Sequence, residues 1–104
     1  MEQRRLLIVD DDIDFLVTLK QFFERRDYLV WVADSGEAAL QLVGRYQPHV
    51  VLLDRYLGRS SFQGLEVFQR ITQDWPHVIV LILEKPFSVA ALLRTLQQTI
   101  DEDR

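Results

Sequence analysis

Two of the most apolar stretches in the chain end in aspartate. Leu6 to Val9 runs into Asp10, Asp11 and Asp12, and Val50 to Leu53 runs into Asp54. If the two stretches are neighbouring strands, about 5 Å apart, at least three carboxylates converge at one end of a sheet. Like charges so close cannot all stay ionised without help. A hard divalent cation held by oxygens is the usual remedy. Mg2+ suits this set, because it takes one or two carboxylates, keeps several waters and accepts a phosphate oxygen. A carboxylate in such a cluster can act as a nucleophile toward phosphorus. The transferred phosphoryl group then needs positioning and charge neutralisation more than covalent help. Lys85 follows the last apolar stretch at the same end and is the candidate for a second positive centre. Pro86 after it permits a cis bond that would aim the lysine.

Each of these residues also has an ordinary explanation. An aspartate ahead of a helix is often only an N-cap, and Asp12 is assigned that role here. A lone aspartate after a strand is commonly a turn residue. Most lysines merely solvate a surface. The cluster stands on convergence, since both aspartate groups follow buried strands at one end of one sheet. His49 and His77 sit next to strand starts, at the opposite end, and read as surface polar residues. Trp31, Trp75 and the phenylalanines read as packing.

The elements that must position the cluster alternate regularly. Continuous apolar runs suit strands buried on both faces of a parallel sheet. Leu6 to Val9, Tyr28 to Ala33, Val50 to Leu53 and Val78 to Leu83 are read as such strands. Between them, Ile13 to Arg26 places Phe15, Leu16, Leu19, Phe22 and Phe23 on one helical face. Asp34 and Glu37 have capping-box spacing ahead of a helix carrying Ala39, Leu42, Val43 and Tyr46. A polar loop with Gly58, Ser60, Ser61 and Gly64 leads to a helix from about Leu65 to Asp74, with Leu65, Phe68 and Ile71 inward. Ser88 caps a last helix with Val89, Leu92, Leu93, Leu96 and Ile100 on one face. The order β-α-β-α-β-α-β-α predicts a doubly wound α/β fold, with ligands at the carboxyl ends of the strands.

Composition is consistent with this. The 104 residues make one domain, 1–104, with 48% hydrophobic and 27% charged residues. No cysteine is present, which excludes disulfides and thiolate chemistry. The net charge of -4 argues against nucleic-acid binding. Four apolar residues before Asp10 are too few for a signal peptide or a membrane span, so a cytoplasmic location is expected.

The strings Leu7-Ile8-Val9-Asp10-Asp11-Asp12, Asp34-Ser35-Gly36-Glu37-Ala38-Ala39-Leu40, Val50-Val51-Leu52-Leu53-Asp54, Gly64-Leu65-Glu66-Val67 and Lys85-Pro86-Phe87 resemble the receiver-domain family of two-component response regulators. They occur in the family's order and cover nearly the whole chain. The resemblance implies a flavodoxin-like fold and phosphotransfer from a histidine kinase or a phosphotransfer protein. It assigns Asp10 and Asp11 to the acidic pair that holds Mg2+, and makes Asp54 the phosphoacceptor. Tyr56 would offer its backbone carbonyl to the metal, and Lys85 would contact the phosphoryl group. No turnover of an external substrate is implied.

The chain departs from the family near the end of the fourth strand and just beyond it. The family's threonine or serine near the end of that strand is matched here to Ile82, which cannot donate a hydrogen bond. The family then has a helix and a fifth strand, whereas only Glu84 separates Leu83 from Lys85, and a parallel crossover cannot fit in that space. A four-stranded sheet of order 2-1-3-4 is therefore expected, with helices on both faces and Val78 to Leu83 as an apolar edge. Such an edge is a pairing hazard in a monomer, so a homodimer through that strand or the last helix is expected. Three functions compete: a working phosphoacceptor that signals to a downstream protein, a pseudo-receiver that associates without phosphorylation, and an unrelated Mg2+-dependent phosphatase. The retained acidic residues favour the first. No general acid-base or substrate pocket is evident for the third.

Overall fold

The computed structural model describes residues 3–58, 60–84 and 88–102, with side chains to residue 99. Four strands alternate with four helices: β1 (Arg4–Val9), α1 (Ile13–Glu24), β2 (Tyr28–Ala33), α2 (Gly36–Tyr46), β3 (Val50–Asp54), α3 (Gly64–Asp74), β4 (Ile79–Leu83) and α4 (Val89–Glu102). The strands form one parallel sheet of order β2-β1-β3-β4. The four-stranded doubly wound fold read from the sequence is thus the observed one.

Strand pleating sorts the apolar residues into two cores. Leu6, Ile8, Val50 and Leu52 face α1 and α4, where they meet Leu16, Leu19, Phe23, Leu92 and Leu96. Leu7, Val9, Val51 and Leu53 face α2 and α3, where they meet Ala39, Val43, Val67 and Ile71. All of β3 is buried because it is central and covered on both faces. β4 is as apolar but only half-buried at every position, since one side of it is an edge.

Several local assignments change. Ser35, not Asp34, caps α2, its hydroxyl accepting from the Ala38 N–H at 3.2 Å. Glu37 therefore does not close a capping box and is used elsewhere. Leu65 points outward, because Gly64, Val67 and Ile71 form the buried stripe of α3. Tyr46 is exposed and stacks on Trp31 at 4.6 Å between ring centroids, covering part of the β2 edge. Phe22 is only partly buried, its ring lying under the Arg26 guanidinium. The Ser88 hydroxyl accepts from the Ala91 N–H at 3.2 Å, in the capping role expected of it.

Candidate functional site: an acidic pocket at the carboxyl end of the sheet

The β1–β3 pairing brings the aspartate clusters together. Val9 and Leu53 are register partners, so Asp10 and Asp54 leave adjacent strands at the same height. Carboxylate oxygens of Asp10, Asp11 and Asp54 all lie within 4.8 Å of one another. Asp10 and Asp54 are 3% and 8% exposed, the two buried charged residues of the described core, while Asp11 is open to solvent. Burying a carboxylate is costly unless hydrogen bonds compensate. Asp10 accepts from the Asp12 N–H at 2.9 Å and Asp54 from the Tyr56 N–H at 3.3 Å. Asp12 stays out of the cluster. It caps α1 by accepting from the Phe15 N–H at 3.1 Å, which starts the helix away from the acidic pair.

The β3–α3 loop forms the other wall. Leu57 is fully buried and ties the loop to the core. Gly58 sits at φ +57°, and a Cβ there would lie 2.5 Å from Asp11 Oδ2, so the loop backbone passes directly over that carboxylate. Gly64 is needed for a second close approach, because a Cβ would fall 2.6 Å from the Asp54 carbonyl oxygen.

Two residues hold this loop, and the sequence reading gave neither of them that role. Gln63 accepts from the Leu57 N–H at 2.9 Å and donates to the Gly58 and Ser60 carbonyls at 3.3 and 3.2 Å. Glu37 reaches over from α2 to accept from the Ser60 hydroxyl at 3.0 Å and the Phe62 N–H at 3.2 Å. Its carboxyl is held below the ordinary glutamate value, first by its own backbone N–H and then by Ser60 and the loop amides, against an opposing effect of burial. Glu37 and Gln63 thus fix the loop that carries Tyr56, whose side chain is 68% exposed.

Strand register shows where Ile82 lies relative to Asp54. Ile82 pairs with Leu53 and packs in the α2/α3 core, whereas the partner of Asp54 is Leu83, whose side chain packs in the α1/α4 core. The side chain beside Asp54 on its own face of the sheet is therefore Leu83, not Ile82. Neither offers a hydroxyl. Beyond them Arg55 and Glu84 form an ion pair across the ends of β3 and β4, and the Arg55 N–H donates to the Leu83 carbonyl at 3.2 Å. The hydrogen bond to Glu84 holds the guanidinium still more firmly protonated than usual. Lys85, with Pro86 and Phe87, lies outside the described residues. His49 and His77 lie at the opposite end of the sheet, in structural hydrogen bonds. His49 Nδ1 accepts from the Arg5 N–H at 2.9 Å, and His77 Nε2 is 2.8 Å from Gln47 Oε1.

A parallel α/β sheet with an acidic pocket at the carboxyl ends of its two middle strands defines a class: doubly wound α/β domains whose site lies at the sheet's switch point. The response regulator receiver domain family matches residues 6–102, and the chain belongs to that family. It is 29% identical over 83 residues to sporulation initiation phosphotransferase F of Bacillus subtilis (strain 168), covering 80% of this chain and 65% of that one. It is 30% identical over 98 residues to the response regulator MprA of Mycobacterium sp. (strain KMS), covering 94% of this chain and 42% of that protein. The chain thus spans less than two thirds of these relatives. Among solved structures, a CheY-like receiver domain protein from Methanospirillum hungatei JF-1 superposes with a TM-score of 0.85 at 22% identity, covering 98% of this chain and 97% of the other. The receiver domain of NtrX from Brucella abortus gives 0.85 at 20% identity, covering 92% and 98%.

Proposed function

We propose that Asp54 accepts a phosphoryl group from a phosphohistidine of a histidine kinase or phosphotransfer protein. A carboxylate oxygen of Asp54 attacks phosphorus, the phosphorus–nitrogen bond breaks, the electron pair leaves with the imidazole, and an acyl phosphate remains on the protein. The observation that carries this reading is the convergence of three carboxylates within 4.8 Å around a nearly buried Asp54. That donor set is all hard oxygen, which fits Mg2+. Asp10, Asp11 and Asp54 would hold the ion together with the Tyr56 carbonyl, and when bound it supplies positive charge against the transferring phosphoryl oxygens. Asp10 and Asp11 position the attacking carboxylate, while the loop held by Glu37 and Gln63 walls the pocket. Lys85 is assigned the remaining phosphoryl oxygen.

On this reading the protein is a cytoplasmic signalling module rather than a turnover enzyme. It passes its state on through protein contacts, with a downstream protein and with a second copy of itself. Ile13 and Val17, 61% and 49% exposed and one turn apart on α1, offer an apolar rim beside the pocket for the phosphodonor.

Incubation with Mg2+ and acetyl phosphate tests the chemistry. Mass spectrometry is expected to show one phosphoryl adduct, removed by hydroxylamine, absent without Mg2+ and absent in Asp54→Ala. No adduct together with no Mg2+ binding by calorimetry would sink the reading and leave an association module in its place.

A further inference from the structure

The outer edge of β4 is built to receive a strand. The Ile79 N–H donates to the His49 carbonyl at 3.1 Å, and the Leu83 carbonyl accepts from the Arg55 N–H at 3.2 Å. Ile79, Leu81 and Leu83 therefore turn their backbone groups toward β3, and by alternation Val80 and Ile82 turn theirs outward. Among the described residues no strand pairs with that edge. The edge also forms the floor of a groove of about 470 Å3, walled by Phe68 of α3 on one sheet face and by Ala91, Leu92 and Thr95 of α4 on the other. Among the described residues no charged side chain lines the groove.

We infer that the occupant is β4 of a second copy, antiparallel to the first about a two-fold axis at Leu81. Three observations select it. First, hydrogen bonding closes. A two-fold at Leu81 sets Val80 opposite Ile82 of the partner subunit, and Ile82 opposite Val80 of the partner subunit. Each of these pairs exchanges two N–H···O=C bonds, so all four outward groups on each strand are satisfied. Second, charge permits it. Residues 78 to 83 carry none, so no like charges face each other although each copy is net negative. Third, every β4 residue is half-buried on whichever face it points to. What is lacking is therefore cover on both faces at once. A copy that brings its own α3 and α4 alongside supplies it, while a lone peptide strand does not. An isologous pairing of this kind closes on itself and stops at two copies, leaving an eight-stranded sheet. The inference does not rest on phosphorylation of Asp54.

Sedimentation velocity on the whole chain from about 1 to 500 µM is expected to show a monomer–dimer equilibrium in the micromolar range, as for a small interface. Amide exchange at the two ends of that range distinguishes this edge from any other. Val80 and Ile82 N–H should gain protection at the higher concentration, at least tenfold, while Ile79 and Leu81 are protected throughout. Thr95→Lys, at an exposed groove-wall position, should abolish both the dimer and the concentration-dependent protection with an unchanged circular dichroism spectrum. If that variant proves unfolded, the exchange measurement on the unaltered chain decides alone. A monomer at every concentration overturns the inference, and so does a dimer in which Val80 and Ile82 still exchange freely. Protection gained by a monomer only on adding a synthetic peptide of residues 78–83 also overturns it, since the edge would then take a lone strand.

Discussion

Substituting Gly58 separates the loop's conformational requirement from its closeness to Asp11. At φ +57° an L-residue pays the left-handed penalty, about 1–2 kcal/mol for alanine and less for asparagine, whose side chain tolerates that region. Any Cβ also falls 2.5 Å from Asp11 Oδ2. Asp11 is exposed, so its carboxylate can rotate away at little cost to stability. The collision should therefore appear in metal binding and not in folding. Gly58→Ala is expected to lose about 1–2 kcal/mol, or roughly 4–8 °C of Tm per kcal/mol in a domain of this size. Gly58→Asn should lose less than half as much. Both should weaken Mg2+ affinity by a similar factor, on the order of tenfold, as when the geometry around one ligand is disturbed. Urea denaturation without metal and calorimetric titration with Mg2+ give the two quantities. If both variants bind Mg2+ as the unaltered chain does, Asp11 is not a ligand held in place by this loop, and the assignment fails.

Two further outcomes concern the pocket's surroundings. Glu37→Gln should loosen the loop, and its effect should depend on pH with a fixed sign. The folded-state pKa lies below the ordinary value, so the carboxylate's contribution is full above the usual glutamate range near 4.5 and is lost as pH falls through the folded value. The difference in urea midpoint between the two proteins should shrink as pH is lowered from 7 toward 3, and a constant difference would refute the role given to that charge. Leu83→Thr places a hydroxyl beside Asp54, whereas Ile82→Thr places one, half-buried, on the opposite face of the sheet. The first should change the lifetime of the acyl phosphate several-fold and the second should chiefly destabilise, by roughly 1–3 kcal/mol. The reverse pattern, followed by phosphate release and thermal denaturation, would restore Ile82 as the neighbouring position.

The strands and the acidic cluster were legible because each depends on residue type over a short stretch. Four apolar runs, two of them ending in aspartate, predict a parallel sheet with carboxylates at one end, and the β1–β3 register brings those carboxylates together. Asp12 as a cap was legible for the same reason. Long-range partnerships were not. Glu37 has the spacing of a capping-box residue, but Ser35 already caps α2, which frees the carboxylate for Ser60 and Phe62 more than twenty residues away. Leu65 and Tyr46 fit an apolar helical stripe by spacing alone. Gly64, at a close approach to the β3 end, instead decides which side of α3 meets the sheet, and Gly36, Ala39 and Val43 form the buried side of α2.

The parity of β4 shows why a one-residue difference matters. Matching the strand end by sequence selects Ile82, but a shift of one residue in a strand turns the side chain to the other face. Here the faces are distinguishable, because Leu81 and Leu83 join the α1/α4 core and Val80 and Ile82 join the α2/α3 core. The same parity directs the backbone groups of Val80 and Ile82 outward. One short strand thus presents Leu83 to the acidic pocket and two residues' backbone groups to a partner. A perturbation at Asp54 that displaced Leu83 would displace the neighbouring Ile82 carbonyl, since that carbonyl and the Leu83 N–H belong to one planar peptide unit. In this fold the register partner of the proposed acceptor and the edge that would meet a second copy are one peptide bond apart. Communication between them therefore needs no intervening helix.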